Sequence, residues 1–266
     1  MIKHPLLRYF GGKFRLAPWI ISHFPKHEIY VEAFGGAAGV LLQKPRLGNE
    51  VYNDLNNDVV NLFKVLRDPI LSKQLIDLVA LTPFHRSEYF DAGNSLGSQQ
   101  VEQARRMLVR SFMSFSSTGC IKGCTGFSGS TRKGKTTDAT VWAKIPNNLA
   151  FICQRLTGVI IENIPALELL QKHDSPKTLF YLDPPYMSET RTSTNVYQYE
   201  MAIDDHEQLL ISANNLSGSV VISGYDCDLY NDYLFVWQKR TSPARAAGQK
   251  GQIIRKECIW IKDSNY

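Results

Sequence analysis

Apolar residues at Val59, Leu62, Phe63 and Leu66 recur at three- and four-residue intervals. That is the period of a helix with one buried face, so a helix is predicted over Asp58–Leu66. Just ahead of it, Glu50–Asn53 reads as a short strand ending at Asp54. Further upstream the β-rich run Glu28–Glu32 meets a glycine cluster and turns apolar again at Val40-Leu41-Leu42. Strand, tight turn and helix are expected there in that order. Two such units in succession point to a parallel sheet with helices on its faces.

From about Asp68 to Pro146 the pattern becomes helical. Ala104, Met107, Leu108, Phe112 and Phe115 form one stripe, while Arg106 and Arg110 lie on another face. Gly119–Thr137 follows, a glycine-rich stretch carrying Lys122, Arg132, Lys133 and Lys135 that reads as a cationic loop. After Leu149 the α/β pattern returns. Gly158–Glu162 is a predicted strand, Pro165–Gln171 a helix, and Thr178–Leu182 a buried strand running straight into Asp183. Val220–Ser223 is another strand, Leu234–Gln238 and Glu257–Lys262 a closing antiparallel pair, and Thr241–Gly251 a second loop. The simplest architecture is one α/β domain, residues 1–66 and 149–266, with a mainly helical, basic domain inserted at 67–148.

Composition changes this picture little. The 266 residues are 44% hydrophobic and 21% charged, enough for one sizeable core and a smaller appended domain. A net charge of +5 suits a polyanionic partner without requiring one. The five cysteines form an odd set, Met1–Phe10 lacks the apolar core of a signal peptide, and no apolar run reaches membrane-spanning length. Free thiols in reducing cytoplasm are expected. Cys120 and Cys124 have no histidine or second cysteine pair nearby, so they read as loop cysteines and no metal site is expected.

Candidate chemistry concentrates in three places. In Asp183-Pro184-Pro185-Tyr186 a strand ends in a carboxylate, two prolines hold the next backbone extended without N–H donors, and an aromatic follows. The Asp183 side chain and the Pro184 carbonyl are two acceptors that could grip both hydrogens of a conjugated amine and localise its lone pair. Tyr186 could stack on the ring bearing it. The plainer alternative is a strand-ending turn. In Glu32-Ala33-Phe34-Gly35-Gly36-Ala37-Ala38-Gly39 the glycines let backbone approach a ligand, and the opening carboxylate suits a cationic amino group better than a pyrophosphate. About twenty residues on, Asp54 stands where a ribose-binding carboxylate belongs, or where it would cap the following helix. Arg8-Tyr9-Phe10-Gly11-Gly12-Lys13 is not a phosphate loop, and by itself could be a surface turn with a solvated lysine.

The order of these segments, R-Y-F-G-G-K, then V-E-A-F-G-G-A-A-G, then a basic insert, then D-P-P-Y, resembles the Dam-like (D12 class, alpha-group) DNA adenine N6-methyltransferases from about Leu6 to Trp260. The resemblance implies a Rossmann-like class I S-adenosylmethionine-dependent methyltransferase sheet with an inserted target-recognition domain. It implies methyl transfer from S-adenosylmethionine, leaving S-adenosylhomocysteine, to N6 of an adenine flipped out of double-stranded DNA, by a monomer without a metal. Asp183, Pro184 and Tyr186 become the catalytic residues. Tyr9, Lys13, Glu32, Phe34, Gly35, Gly36, Asp54, Asn163 and Asp183 become the cofactor contacts, with Lys13 near the cofactor carboxylate and Glu162-Asn163 at its adenine. Ser223-Gly224-Tyr225-Asp226 resembles the motif beside the target-base pocket, and Asp205-His206 a helix-opening pair with a capping role.

Two departures stand out. Ala33 replaces a frequent proline, and the insert lacks the hairpin sequence of a GATC-specific enzyme, so the resemblance does not extend to GATC. Arg105, Arg106, Arg110, Lys122, Arg132, Lys133, Lys135 and Arg245 are the candidate DNA contacts, as phosphate-binding cations. The rival readings are an RNA adenine or a cytosine N4 methyltransferase, and a catalytically silent DNA-binding module. Asp rather than Asn at position 183 counts against an enzyme acting on RNA. The joint presence of Lys13, Asp54, Asp183 and Tyr186 counts against a silent module.

Overall fold

The strand Thr178–Leu182 (β4) is buried at every position, as a strand with neighbours on both sides and helices on its faces must be. The structure is a computed structural model and describes residues 1–93, 99–117, 119, 125–129, 131, 136–187, 199–248 and 251–264, without the side chains of 243–248 and 251–255. Ile29–Glu32 (β1), Asn49–Asn53 (β2), Val159–Glu162 (β3) and Ser219–Tyr225 (β5) join β4 in one sheet with Gln238–Gly248 (β6) and Gly251–Lys262 (β7). The strand order is β3-β2-β1-β4-β5-β7-β6. β1 runs parallel to β2 and β4, and β4 parallel to β5, while β7 is antiparallel to both β5 and β6. This is a Rossmann-like, mostly parallel sheet, closed at one edge by a long antiparallel hairpin.

Contacts divide the described chain into two compact units. The first comprises residues 1–14, 36–43 and 56–161, and the second comprises 15–35, 44–55 and 162–266.

In the second unit the helices Ala17–Ile21 (α1), Ala166–His173 (α8), Ile203–Asn215 (α9) and Asp228–Tyr233 (α10) accompany the sheet. Alternation sorts the strand residues by face. Val31, Phe180, Leu182, Val220 and Ile222 pack with Leu169, Leu170, Leu209 and Leu210 of α8 and α9 in one core. Tyr30 and Tyr181 point to the opposite face, where Phe24 lies 5.8 and 5.9 Å from their ring centres.

The first unit is helical: Asn57–Arg67 (α2), Pro69–Leu81 (α3), Arg86–Asp91 (α4), Gln100–Met113 (α5), Asp138–Trp142 (α6) and Ile145–Leu156 (α7). Val59, Leu62, Phe63 and Leu66 are buried, as their spacing predicts. Asn56 caps α2, its side chain accepting from the N–H groups of Asp58 and Val59. The capping alternative for Asp54 therefore fails. Asp68 caps α3 in the same way.

Three expectations need correction. The apolar residues after the glycine turn form successive turns rather than a helix, because Gly36 and Ala38 hold φ of 48° and 52°, in the left-handed region. Leu234–Gln238 is not the first strand of the hairpin. Leu234 ends α10 and turns back through a Trp237 N–H to Leu234 carbonyl bond at 2.9 Å, burying Leu234 and Trp237 while Phe235 and Val236 face solvent. The first strand of the hairpin is instead Gln238–Gly248, of which Thr241–Gly248 reads as a loop by composition. Pairing with β7 supplies its backbone hydrogen bonds whatever the side chains, and Pro243 is tolerated because β6 is an edge strand. Among the described residues no helix is long and apolar enough to cross a membrane.

Candidate active site

The carboxyl ends of the parallel strands carry the acidic residues singled out by the sequence. In the order β2, β1, β4 they are Asp54, Glu32 and Asp183, with Ser223 and Tyr225 ending β5 beside them. Ligands of open α/β sheets bind at this edge.

Asp183 is held by its neighbour strand. Ser223 Oγ donates to Asp183 Oδ1 at 2.7 Å, and Tyr181 Oη lies 3.1 Å from the same Ser223 oxygen. Ser223 has one hydroxyl proton, which goes to the carboxylate, so the Tyr181 phenol donates to Ser223. Burial first, and then the Asp183 charge, push the Tyr181 phenol well above its ordinary range and keep it a donor. Glu32, buried at the end of β1, accepts from Tyr30 Oη at 2.7 Å. Each strand thus places a tyrosine two residues before its carboxylate, on the same face of the sheet.

The glycine turn is shaped by contact. A Cβ on Gly35 would stand 2.1 Å from Tyr52 Cε2, and the Gly35 N–H donates to the Asn53 carbonyl at 2.8 Å. Ala33 donates its N–H to the Tyr181 carbonyl at 3.3 Å, a bond that proline could not make. Phe34 is half-buried against the β4–α8 core. Asn163, following β3, donates its side-chain amide to the Asp54 carbonyl at 2.7 Å and so links two neighbouring strand ends.

Tyr186 is buried, its ring edge-on to Tyr225 with centres 4.7 Å apart and an interplanar angle of 75°. Its hydroxyl donates to the buried Glu257 of β7. Burial, followed by the Glu257 and Asp183 charges, drives the Tyr186 phenol well above its ordinary value, so the proton stays on tyrosine. Glu257 and Tyr181 escaped the sequence reading. The tyrosine-then-carboxylate alternation could have signalled Tyr181, but only strand pairing brings Glu257 to Tyr186. Asp205 accepts from the Ala202 N–H at 2.8 Å and His206 Nδ1 lies 3.0 Å from Tyr230 Oη, so both serve the start and packing of α9.

In the first unit, Tyr9 packs its ring on Gly36, where an added Cβ would lie 3.3 Å away. Lys13 is buried and donates Nζ to the Gly11 carbonyl at 2.8 Å. Arg105 pairs with Glu102 at 2.7 Å and Glu88 at 3.0 Å, and Arg106 with Glu102 at 2.7 Å. A phosphate approaching either would compete with a carboxylate. Arg110 is buried, with Nη1 on the Ala92 carbonyl at 2.8 Å. Lys122, Arg132, Lys133 and Lys135 lie outside the described residues, as do Cys120 and Cys124 and the side chain of Arg245.

Known proteins are similar to this chain in sequence. The chain is 24% identical over 233 residues to the Type II methyltransferase M.MjaIII of Methanocaldococcus jannaschii, covering 77% of each chain. It is 24% identical over 246 residues to the DNA adenine methylase of Serratia marcescens, covering 85% of each. A shorter stretch of 68 residues, 25% of this chain and 23% of the other, is 38% identical to the DNA adenine methylase of Haemophilus influenzae. Matched by that family over residues 9–249, the chain belongs to the D12 class of N6 adenine-specific DNA methyltransferases, which makes DNA its substrate and S-adenosylmethionine the implied methyl donor.

Proposed function

We propose that the carboxyl edge of β2, β1 and β4 holds S-adenosylmethionine, and that Asp183 and the Pro184 carbonyl present the adenine amine to it. The observation that carries this reading is the Ser223 hydrogen bond that orients Asp183 at the end of the central strand. The donor set suits the cofactor. Glu32, Asp54 and Asp183 give a ligand bearing sulfonium and ammonium charges three carboxylates at adjacent strand ends, and Gly35 leaves the turn without a side chain. Asp54 is proposed for the ribose hydroxyls, Asn163 for the cofactor adenine, and Phe34 and Gly36 for the turn around the methionine part. Tyr9 and Lys13 keep the cofactor contacts that the family resemblance gives them.

The cofactor, when bound, supplies an electrophilic methyl group on a positively charged sulfur. The protein's part is to make a conjugated amine nucleophilic. Asp183 and the Pro184 carbonyl accept its two N–H groups, which draws nitrogen out of the ring plane and localises its lone pair. As nitrogen took the methyl, the sulfur–carbon bond would break with its electron pair left on sulfur, the Asp183 carboxylate would stabilise the positive charge arriving on nitrogen, and the surplus proton would pass to water. The transfer itself needs no metal, because the electrophile already carries its charge. Tyr186 is proposed to border the extruded base of a DNA duplex, bound by a monomer. Phosphate contacts fall to the cations at Arg105, Arg106, Arg110, Lys122, Arg132, Lys133, Lys135 and Arg245. Competition from Glu102 and Glu88 weakens Arg105 and Arg106 in that role, and burial weakens Arg110.

Asp183→Ala should abolish methyl transfer to DNA and leave cofactor binding measurable by calorimetry. Near-normal turnover in that variant would refute the mechanism.

A further inference from the structure

We propose that Glu257 is a positioning residue for the reaction, holding Tyr186 through its hydroxyl so that the ring keeps a fixed plane beside Asp183. The proposal rests on the reading of Asp183–Tyr186 as the catalytic segment. It adds a residue 71 positions downstream that no motif of that segment contains.

Two prolines fix the backbone leading to Tyr186, but they leave its side-chain torsions open. Two neighbouring strands close that freedom. Tyr225, at the end of β5, sets its ring at 75° to Tyr186. Glu257 is the register partner of Tyr225 on β7, and its carboxylate takes the Tyr186 hydroxyl proton as a hydrogen bond. Ring and hydroxyl are therefore anchored from adjacent positions on paired strands. Glu257 is itself buried at 5% exposure. A carboxylate is costly to bury, and a specific donor offsets that cost.

Two conservative substitutions separate reach from charge. Glu257→Gln keeps an acceptor oxygen at the same reach and removes the charge, whereas Glu257→Asp keeps the charge and withdraws the oxygen by one methylene. For methylation of a DNA duplex, Glu257→Asp and Tyr186→Phe should each lower kcat about tenfold, the loss of one charge-assisted hydrogen bond. Glu257→Gln should stay within about threefold of the native kcat, and the double variant Glu257→Asp/Tyr186→Phe should be no slower than the slower single one, because both remove the same bond. Cofactor affinity should be little changed throughout, and Glu257→Gln, which keeps an acceptor for the Tyr186 hydroxyl, should keep the native melting temperature, whereas Tyr186→Phe should lower it because it strands a buried carboxylate. Full turnover in Glu257→Asp, a Glu257→Gln variant as slow as Glu257→Asp, or additive losses in the double variant would each overturn the role of Glu257. Tyr186→Ala distinguishes the two levels of the reading. Inactivity there, with native turnover in every Glu257 variant, removes Glu257 alone, whereas native turnover in Tyr186→Ala removes the catalytic reading of Tyr186 as well.

Discussion

Ser223 Oγ donates to Asp183 Oδ1 at 2.7 Å, from the strand next to the one that Asp183 ends. The bond fixes one carboxylate oxygen and, with it, the plane of the group that is to accept an amine hydrogen. Ser223→Ala should therefore lower kcat about tenfold while cofactor affinity changes by less than about twofold, the signature of an interaction felt mainly in the transition state. Steady-state methylation and a cofactor titration on the same preparation check both halves. Equal losses in kcat and cofactor binding would count against an orienting role.

Gly35 has no room for a side chain. Its Cβ would fall 2.1 Å from the fully buried Tyr52 ring, which cannot swing into solvent. Gly35→Ala is expected to cost about 1–3 kcal/mol of stability, the usual range for overpacking, and to weaken cofactor binding through the displaced turn. Chemical denaturation and cofactor titration measure the two effects. Unchanged stability would show that the turn shifts at no cost.

Lys44 and Glu50 form a buried ion pair at 2.8 Å, both side chains 2% exposed, with the ammonium 4.6 Å from the Tyr30 ring centre. Lys44→Met should destabilise the fold by about 3–5 kcal/mol, because it strands a buried carboxylate. Lys44→Met/Glu50→Leu should recover most of that loss. Urea unfolding of the two variants provides the comparison, and equal destabilisation in both would refute the account.

Glu102 titrates below its ordinary value of 4.5, chiefly because Arg105 hydrogen-bonds its carboxylate, with Arg106 adding to the effect. A depressed carboxylate contributes stability that is present above its unfolded pKa and disappears as pH falls through the folded one. Glu102→Gln should accordingly lose less stability than the native protein on acidification from neutrality to below 4.5. The partial exposure of the pair keeps the difference small. Melting temperatures across that range check the sign, and parallel curves for the two proteins would remove the linkage.

The order of motifs made the family legible in the sequence, and the family match over residues 9–249 bears the family out. Local periodicity did the same for α2 and for the parallel strands, because apolar spacing and strand alternation act over a few residues. Composition misled at Thr241–Gly248, where small residues read as loop but pairing to β7 makes a strand. It misled again at Leu234–Trp237, where an apolar run turns at the end of α10. Both outcomes depend on partners far along the chain.

The sequence by itself determined which residues end the strands, Glu32, Asp54 and Asp183, since a period of two fixes the face each one takes. Tertiary structure alone decided what holds them: Ser223 against Asp183 from 40 residues away, and Glu257 against Tyr186 from 71. No local pattern encodes such pairs. They follow from the register between strands, which is chosen when the whole sheet buries its apolar face against α8 and α9.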